Sequence, residues 1–246
     1  MDNKRENVIE TTGLSKVFGG VTAIDDLSVT VKRGELRVLL GPNGAGKSTL
    51  FKLLMGVIQP SAGDVFYRGQ KVTHRKTFQR VRLGLSCKFQ NLPIYPNLSV
   101  QQNLFVPLYL RHRPYQIPER SLQLLNDIGL SCDINARAGD LSHGQQQWLA
   151  IAMAVATNPE VLLLDEPTAG MGPEETKETG KLVQSLNDRG VTVLVIEHDM
   201  ALVRQLNAHV IVLHFGRYFA EGSIEEIEND EAVQDIYLGR SAAVSG

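Results

Sequence analysis

The chain has 246 residues, 43% hydrophobic and 21% charged, an ordinary composition for a globular protein of one large or two small domains. Its net charge of −2 argues against a dedicated nucleic-acid-binding protein. No apolar run approaches the roughly 20 residues of a membrane span, no signal-peptide core opens the chain, and the two cysteines fit no metal-ligand pattern, so we expect a reduced, cytoplasmic protein.

The N-terminal part predicts antiparallel strands. Apolar segments at residues 8–12 and 27–31 read as two strands, and a turn then returns the chain into a third at residues 35–40. Phe18 lies between the first two segments. An aromatic ring there could stack on an adenine base, and a core or turn-packing phenylalanine is equally consistent with the composition.

A phosphate-binding loop follows the third strand. Residues 41–49 read GPNGAGKST, which matches the pattern G-x-x-x-x-G-K-[ST]. An apolar strand precedes the loop and a helical pattern follows it, which is the context that phosphate binding at a helix N-terminus requires. The pattern predicts that Lys47 reaches the β- and γ-phosphates of a nucleotide and that Ser48 binds Mg²⁺.

The middle of the chain is predominantly helical. After a turn at residues 59–63, a strand at 64–67 and an apolar segment at 81–89 that ends at Gln90, helical patterns occupy residues 100–110, 119–128 and 145–156. This predicts a helical insertion within a β-rich core. Ser142 and Gly144 lie where the last of these helices begins, which is consistent with a second phosphate site or with an ordinary capped helix.

Acidic residues end a buried strand in the second half of the chain. The apolar run at residues 161–164 leads directly to Asp165 and Glu166. Ligands of open α/β sheets bind at the carboxyl ends of strands, so Asp165 is predicted to be a Mg²⁺ partner and Glu166 a general base for an attacking water. A β-branched run at 191–196 brings His198 to the same edge, where it could hydrogen-bond the γ-phosphate or serve structure alone.

Further helical and strand patterns complete the chain. They predict a helix at residues 173–189, a short helix at 200–206 and a hairpin from 210–213 and 218–221. Ser223 opens a C-terminal helix through a capping box, and residues 241–246 are expected to form a frayed tail.

Together, these motifs resemble the ATP-binding-cassette (ABC) transporter ATPases. The resemblance rests on GPNGAGKST at 41–49, Gln90, LSHGQ at 141–145, VLLLDEP at 161–167 and His198, and it covers roughly residues 8–239. It implies an α/β fold with a P-loop NTPase core, a mainly parallel central sheet, an N-terminal antiparallel β subdomain and an inserted helical subdomain.

The resemblance also implies a domain organisation. Residues 1–246 would be one nucleotide-binding domain. Within it, about 1–90 and 159–222 would form the ATP-binding core, about 91–158 the helical subdomain with the LSHGQ signature, and about 223–246 a C-terminal helical tail.

ATP and Mg²⁺ are the cofactors that the resemblance implies. Glu166 would be the catalytic base, His198 the γ-phosphate sensor and Lys47 the catalytic lysine. The Mg²⁺ site would consist of Ser48 and Gln90, with Asp165 outside the direct ligands. The nucleotide-binding set would be Phe18, Gly41, Asn43, Gly44, Ala45, Gly46, Lys47, Ser48, Thr49, Gln90, Ser142, Gly144 and Gln145, of which the last three would contact the nucleotide held by the opposite subunit.

The implied partners follow from this divided site. Two cassettes, identical or paralogous, would sandwich two ATP molecules and drive integral membrane permease subunits at the inner face of the cell membrane. A substrate-binding protein would act indirectly, and no nucleic acid is expected. Two positions depart from the family pattern: His143 replaces the usual glycine of the signature, and Gly172 stands where many members have an aspartate.

Segments near the motifs resemble one class of importers. FGGVTA at 18–23, DEPTAGMGPEE at 165–175, IEHDM at 196–200 and AVQDIYLG at 232–239 are similar to those of importers of branched-chain amino acids and amides. The predicted function is therefore ATP-driven uptake of branched-chain or hydrophobic amino acids. LSHGQQQW at 141–148 with residues 88–90 is also similar to urea-uptake members, and the same class of cassette occurs in lipopolysaccharide export.

Three other classes compete with a transporter ATPase. A soluble cassette acting on DNA or ribosomes would carry coiled-coil insertions or a second cassette, neither of which this sequence shows. A phosphate-loop kinase would not need LSHGQ or His198. A nucleotide-binding regulatory module without turnover would not need Glu166.

Overall fold

The computed structural model describes residues 6–91, 94–130 and 132–238. Its strands are β1 (Asn7–Phe18), β2 (Val21–Leu27), β3 (Thr30–Lys32), β4 (Leu36–Leu40), β5 (Ala62–Tyr67), β6 (Gln70–Lys71), β7 (Leu85–Lys88), β8 (Val161–Asp165), β9 (Thr192–Ile196), β10 (His209–His214) and β11 (Arg217–Gly222). Its α-helices are α1 (Lys47–Leu54), α2 (Thr77–Leu83), α3 (Val100–Tyr109), α4 (Ile117–Asp127), α5 (His143–Val155), α6 (Pro173–Asp188), α7 (Met200–Leu206), α8 (Ile224–Asn229) and α9 (Glu231–Leu238), with 3₁₀ turns at Pro114–Gln116 and Ala138–Asp140.

A six-stranded sheet forms the centre of the fold. Its order is β11-β10-β4-β9-β8-β7, and all neighbours are parallel except the β10–β11 hairpin. Every residue of β8 and β9 is buried. Along β8, Leu162 and Leu164 belong to one apolar cluster and Val161 and Leu163 to another. The sheet is therefore covered on both faces, which explains the continuous apolar runs in the sequence.

A second, antiparallel sheet is built around β1. This strand pairs with β2, β3 and β5, and β6 extends the sheet beyond β5. The strand predicted at residues 27–31 is wrong, because β2 ends at Leu27 and β3 begins only at Thr30. The connection bonds to β1 instead: the N–H of Thr11 donates to the Val29 carbonyl at 2.9 Å.

Gly84 divides the apolar segment predicted at residues 81–89. It follows α2 with a φ of +110°, and β7 starts at the next residue. Because a left-handed residue ends a helix at little cost only when it has no Cβ, this glycine turns one apolar run into a helix and a strand.

The predicted helices of the middle segment are confirmed, with boundaries shifted by up to two residues. The last of them, α5, begins at His143 rather than Gln145, since the Ser142 hydroxyl caps it by accepting from the N–H of Gln145 at 3.2 Å. None of the helices within the described residues combines the length and apolar character of a membrane span. The tail predicted at residues 241–246 lies outside the described residues.

Candidate functional site

The loop at residues 41–46 is enclosed by two other elements at close range. A Cβ on Gly41, whose φ is +148°, would collide with the carbonyl oxygen of Leu213 at the end of β10. A Cβ on Gly46, whose φ is +99°, would lie 2.5 Å from the carbonyl oxygen of Ala23 in β2. The two glycines are therefore required by close backbone approach as well as by their dihedral angles.

Helix α1 begins directly after this loop, and its N-terminus has no side-chain cap. The side chain of Lys47 folds back over the loop, and its Nζ donates to the carbonyl oxygens of Gly41 at 2.6 Å and Pro42 at 3.0 Å. Burial lowers the pKa of Lys47, and the carboxylates of Glu166 and Asp165 oppose that shift. An uncapped helix N-terminus beside a partly desolvated ammonium group fits the phosphate groups of a nucleotide.

Oxygen-bearing side chains meet beside the loop. The hydroxyl of Ser48 lies 3.4 Å from Oδ1 of Asp165, and Ser48, Gln90 and Asp165 line one cavity of about 220 Å³. Burial raises the pKa of Asp165, and the Ser48 hydrogen bond opposes the shift. Hydroxyl, amide and carboxylate oxygens are the ligands that Mg²⁺ prefers, and Mg²⁺ typically takes few protein ligands alongside phosphate, so this set fits the ion.

The carboxylate of Glu166 is held by side chains from two other strand ends. The amide of Gln90 donates to Oε2 at 2.7 Å, and Nδ1 of His198 lies 3.5 Å from Oε1. Glu166 itself has a φ of +46°, and its N–H donates to the Ile196 carbonyl at 2.9 Å. A left-handed conformation at a glutamate costs free energy, so the surrounding hydrogen bonds must hold this residue in place.

Two buried charged residues next to the site, Lys88 and Glu197, were not predicted from the sequence to have a role. Lys88 is fully buried, and its Nζ donates to the carbonyl oxygens of Asp165 at 3.1 Å and Glu166 at 3.0 Å. Burial lowers the pKa of Lys88 to about 8, against the raising effect of Asp165 and then Glu197. The sequence does contain a signal for this buried lysine, since Lys88 ends an apolar strand two residues before Gln90.

The other buried charge is Glu197, which is 1% exposed. Its Oε1 accepts hydrogen bonds from the N–H of Thr168 at 3.2 Å and from the hydroxyl of Thr168 at 2.6 Å. Its Oε2 accepts from the N–H groups of His198 at 2.9 Å and Asp199 at 3.2 Å. This carboxylate therefore connects the loop after β8 to the loop after β9.

The signature residues Ser142, Gly144 and Gln145 are held by contacts at the start of α5. Ser142 and Gln145 cap each other's backbone at the start of α5, and a Cβ on Gly144 would collide with the carboxylate of Glu175. His143 contacts the loop after Glu166, with Nε2 3.0 Å from the carbonyl oxygen of Ala169. Within the described residues, no hydrogen bond joins Ser142 or Gln145 to residues 41–49.

Phe18 ends β1 and is 46% exposed, so the core alternative for this residue is wrong. The Nζ of Lys16 lies 4.9 Å from the ring centroid. The strand that pairs with Phe18 through Val21 continues to Ala23, which contacts the loop at Gly46. The ring is thus carried by the sheet that borders the phosphate-binding loop.

Comparisons with known proteins agree with this architecture. Residues 24–169, more than half of the chain, match the family model described as "ABC transporter". The chain is similar to the high-affinity branched-chain amino acid transport ATP-binding protein BraF of Pseudomonas aeruginosa, with 32% identity over 95% of this chain and 98% of BraF. Its similarity to LivG of Escherichia coli, described in the same words, is 34% over the same shares of the two chains.

Solved structures give the same result. A nucleotide-free ATP-binding cassette from an ABC transporter superposes with a TM-score of 0.86 and 29% identity, over 94% of this chain and 98% of the other. The cassette MJ0796, in a dimeric post-hydrolysis state bound to ADP and Pi, superposes with a TM-score of 0.80 and 27% identity, over 88% of this chain and 98% of the other. These matches confirm the family and the fold class inferred from the motifs. The chain therefore belongs to the ABC transporter family, as one of its ATPase cassettes.

Proposed function

We propose that this ATPase powers the uptake of branched-chain or other hydrophobic amino acids. The contact of Glu166 with Gln90 and His198, beside the phosphate-binding loop, carries the hydrolytic part of the proposal. The cargo is supported by the relatives, which are branched-chain amino acid transport proteins at 32% and 34% identity over nearly their whole length. An importer of urea or amides is the second candidate, supported by the resemblance of LSHGQQQW at 141–148 and KFQ at 88–90 to urea-uptake members.

In the proposed ATP complex, the N–H groups of residues 43–49 and the ammonium of Lys47 hold the phosphates, and Phe18 stacks on the adenine. Ser48 and Gln90 hold Mg²⁺, with Asp165 behind them. When bound, the ion neutralises charge that develops on the phosphate oxygens during transfer. The ammonium of Lys47 brings positive charge to the phosphates, because its hydrogen bonds to the carbonyl oxygens of Gly41 and Pro42 hold it over the loop.

Glu166 acts as the general base on the attacking water. One of its oxygens is held by the Gln90 amide and the other faces His198, so the orientation of the carboxylate depends on both neighbours. His198 is exposed over 66% of its side chain, which leaves it free to contact the γ-phosphate. Proton transfer to a positioned base typically contributes about 10²–10⁴-fold to the rate.

The complete site requires a second cassette, identical or paralogous. Ser142, Gly144 and Gln145 lie at the N-terminus of α5, where no hydrogen bond joins Ser142 or Gln145 to residues 41–49 within the described residues, and we propose that they contact the nucleotide of the partner. A dimeric relative, MJ0796 bound to ADP and Pi, supports this arrangement. His143, which replaces the usual glycine of the signature, connects the signature helix to the loop after Glu166 through its contact with the Ala169 carbonyl.

The proposed ATPase cycle drives integral membrane permease subunits, to which the chain binds at the inner face of the membrane. A substrate-binding protein would act on the permease and only indirectly on this chain. Exposed apolar side chains on α3 support a docking role for the helical region at about 91–158: Val106 is 61% exposed, and the rings of Phe105 and Tyr109 stack at 5.7 Å. The relative cbiO1 is part of the ABC transporter complex cbiONQ. Residues 1–90 and 159–222 would form the ATP-binding core, and 223–246 the tail.

The decisive variant is Glu166→Gln, which keeps the shape of the side chain and removes its basicity. We expect the kcat for ATP hydrolysis to fall by about 10²–10⁴-fold while the Kd for ATP stays within about twofold. Light scattering should show a dimer in Mg-ATP and a monomer in Mg-ADP. Glu178→Gln, on an exposed face of α6, is the matched control. Wild-type turnover in Glu166→Gln would overturn the role of this residue.

The cargo needs a separate experiment. A tagged chain purified with its membrane subunits and reconstituted with the substrate-binding protein should hydrolyse ATP faster when leucine, isoleucine or valine is added. Stimulation by urea or short amides instead would select the second candidate. Stimulation by neither group would reject both cargo assignments and leave the ATPase assignment unchanged.

A further inference from the structure

Two loops at the carboxyl edge of the central sheet share one buried carboxylate. The first loop follows β8 and carries Glu166 and Thr168, and the second follows β9 and carries His198. Glu197 accepts two hydrogen bonds from Thr168 and two from the backbone of the second loop. Glu197 lies beside His198 within the segment IEHDM at 196–200, but none of the site roles inferred from the motifs belongs to it.

The chemistry of the contact is specific for a carboxylate. All four groups that face Glu197 act as donors, three N–H groups and one hydroxyl. An ionised carboxylate only accepts, and its two oxygens offer about four lone-pair directions. Hydrogen bonds to a charged acceptor are also stronger than neutral ones. A glutamine at this position would direct its own N–H₂ group at two of the four donors.

A buried negative charge is costly unless a positive charge lies nearby, and β7 ends in the buried Lys88. Glu197 is 1% exposed, and Lys88 is the fully buried cation whose ammonium bonds to the backbone of Asp165 and Glu166. Burial lowers the pKa of Lys88, and the Glu197 carboxylate opposes that shift after the larger effect of Asp165. The two opposite charges hold the backbone on either side of the catalytic contact, and removing one alone would leave the other uncompensated.

The register of the sheet explains why this position controls that contact. Asp165 pairs with Ile196 across β8 and β9, and the N–H of Glu166 donates to the Ile196 carbonyl. Glu197 is the next residue after this last rung, and its hydrogen bonds continue the connection between the two loops past the end of the sheet. The Nδ1 atom of His198, the residue that follows, lies 3.5 Å from Oε1 of Glu166 and 4.0 Å from Oε2 of Glu197.

We propose that Glu197 is a positioning residue for ATP hydrolysis, whose carboxylate holds the His198 loop in register with the loop that carries Glu166. The proposal rests on the roles assigned above to His198 and Glu166. Glu197 touches neither the attacking water nor the nucleotide, and it acts through His198. A displacement of about 1 Å in a catalytic group can cost about 10²-fold in rate.

The test is a double-mutant cycle in the full-length chain. ATP turnover, the Kd for ATP and the melting temperature are measured for the wild type, Glu197→Gln, His198→Ala and the double variant. We expect Glu197→Gln to lower kcat by about 10–100-fold with the Kd for ATP within about twofold. The double variant should match His198→Ala within about twofold, because Glu197 acts through that residue.

Tyr67→Phe is the control for a structural role. It removes a part-buried hydrogen bond of 2.6 Å to Glu160, which lies at the opposite end of β8 from Glu166, so it should lower the melting temperature and leave kcat unchanged. Thr168→Val removes one donor to Glu197 but leaves the buried charge in place, so it remains informative even if Glu197→Gln does not fold. We expect it to slow turnover by about 3–10-fold, again without adding to His198→Ala.

The outcomes separate this inference from the proposed function. Wild-type turnover in His198→Ala would overturn the role of His198 and this inference with it. This inference alone would be overturned if His198→Ala turned over slowly while Glu197→Gln kept wild-type turnover. If Glu197→Gln does not fold, wild-type turnover in Thr168→Val would have the same meaning. Multiplicative losses in the double variant, or a Kd for ATP that weakens in parallel with kcat, would also overturn it, since both indicate a general structural effect.

Discussion

Arg80 anchors the C-terminal end of the helix that follows the phosphate-binding loop, and its removal should strongly destabilise the fold. Its side chain is fully buried within the fold. The guanidinium donates to the carbonyl oxygens of Leu53 at 2.7 Å and Leu54 at 2.6 Å, which end α1, and to those of Thr73 at 2.7 Å and Arg75 at 3.1 Å. A cation at a helix C-terminus is also favoured by the helix dipole.

The magnitude follows from these contacts. Hydrogen bonds to a charged donor contribute about 1.5–3 kcal/mol each, so four of them exceed the several kcal/mol that desolvation of the guanidinium costs. Burial also lowers the pKa of Arg80 to about 10, so the group remains protonated at neutral pH. Arg80→Met leaves four carbonyl oxygens without this donor, and we expect a loss of about 3–5 kcal/mol in the free energy of unfolding.

Thermal unfolding followed by circular dichroism measures this loss. For a chain of this size, about 3–5 kcal/mol corresponds to a fall of about 6–20 °C in the melting temperature. Arg82→Met is the matched control, because Arg82 lies on the same helix with an exposed side chain stacked on Phe78. A melting temperature of Arg80→Met within about 2 °C of Arg82→Met would refute the reasoning.

Two further predictions concern the loop and the thiols. Gly41→Ala should abolish nucleotide binding in equilibrium dialysis, since a Cβ there meets the Leu213 carbonyl. A Cβ on Gly44 meets nothing within 4 Å, so Gly44→Ala should cost only the backbone strain of its positive φ, about 1–2 kcal/mol. Equal ATP affinities of the two variants would contradict this. Burial raises the pKa of both Cys87 and Cys132, and that of Cys87 rises far above its ordinary value. Iodoacetamide at pH 8 should therefore modify Cys87 more slowly than Cys132, and it should modify Cys87 much more slowly in the folded chain than in urea. A Cys87 rate that does not change on unfolding would contradict the burial argument.

Much of the site could be predicted because its parts are local. A phosphate-binding loop needs only its own glycines, a preceding strand and a following helix, and all three lie within residues 36–54. Asp165, Glu166 and His198 follow continuous apolar runs, which predict parallel strands that end at one edge of a sheet. The structure brings these residues together with Ser48 and Gln90, while their catalytic roles remain predictions.

The boundaries that were wrong have a tertiary cause. The strand predicted at 27–31 is interrupted because Thr11 and Gly13 of β1 bond to the intervening residues, through the Val29 carbonyl and the Ser28 hydroxyl. Apolar periodicity does not show such a contact, because its partners lie more than ten positions apart in the chain. The division at Gly84 was missed for a local reason, because an apolar pattern fits both a helix and a strand and the glycine between them is what ends the helix.

The amino-acid sequence by itself determined the family, most of the longer strands and helices, and the residues that reach the edge of the sheet. Those features depend on short patterns whose physical requirements are met within one or two elements. Only the tertiary structure decided what Arg80, Lys88 and Glu197 do. A charged residue in an apolar context can face solvent or be buried, and the outcome depends on donors and acceptors that other segments supply. For these three side chains, the partners come from the end of α1 and from the loops after β8 and β9.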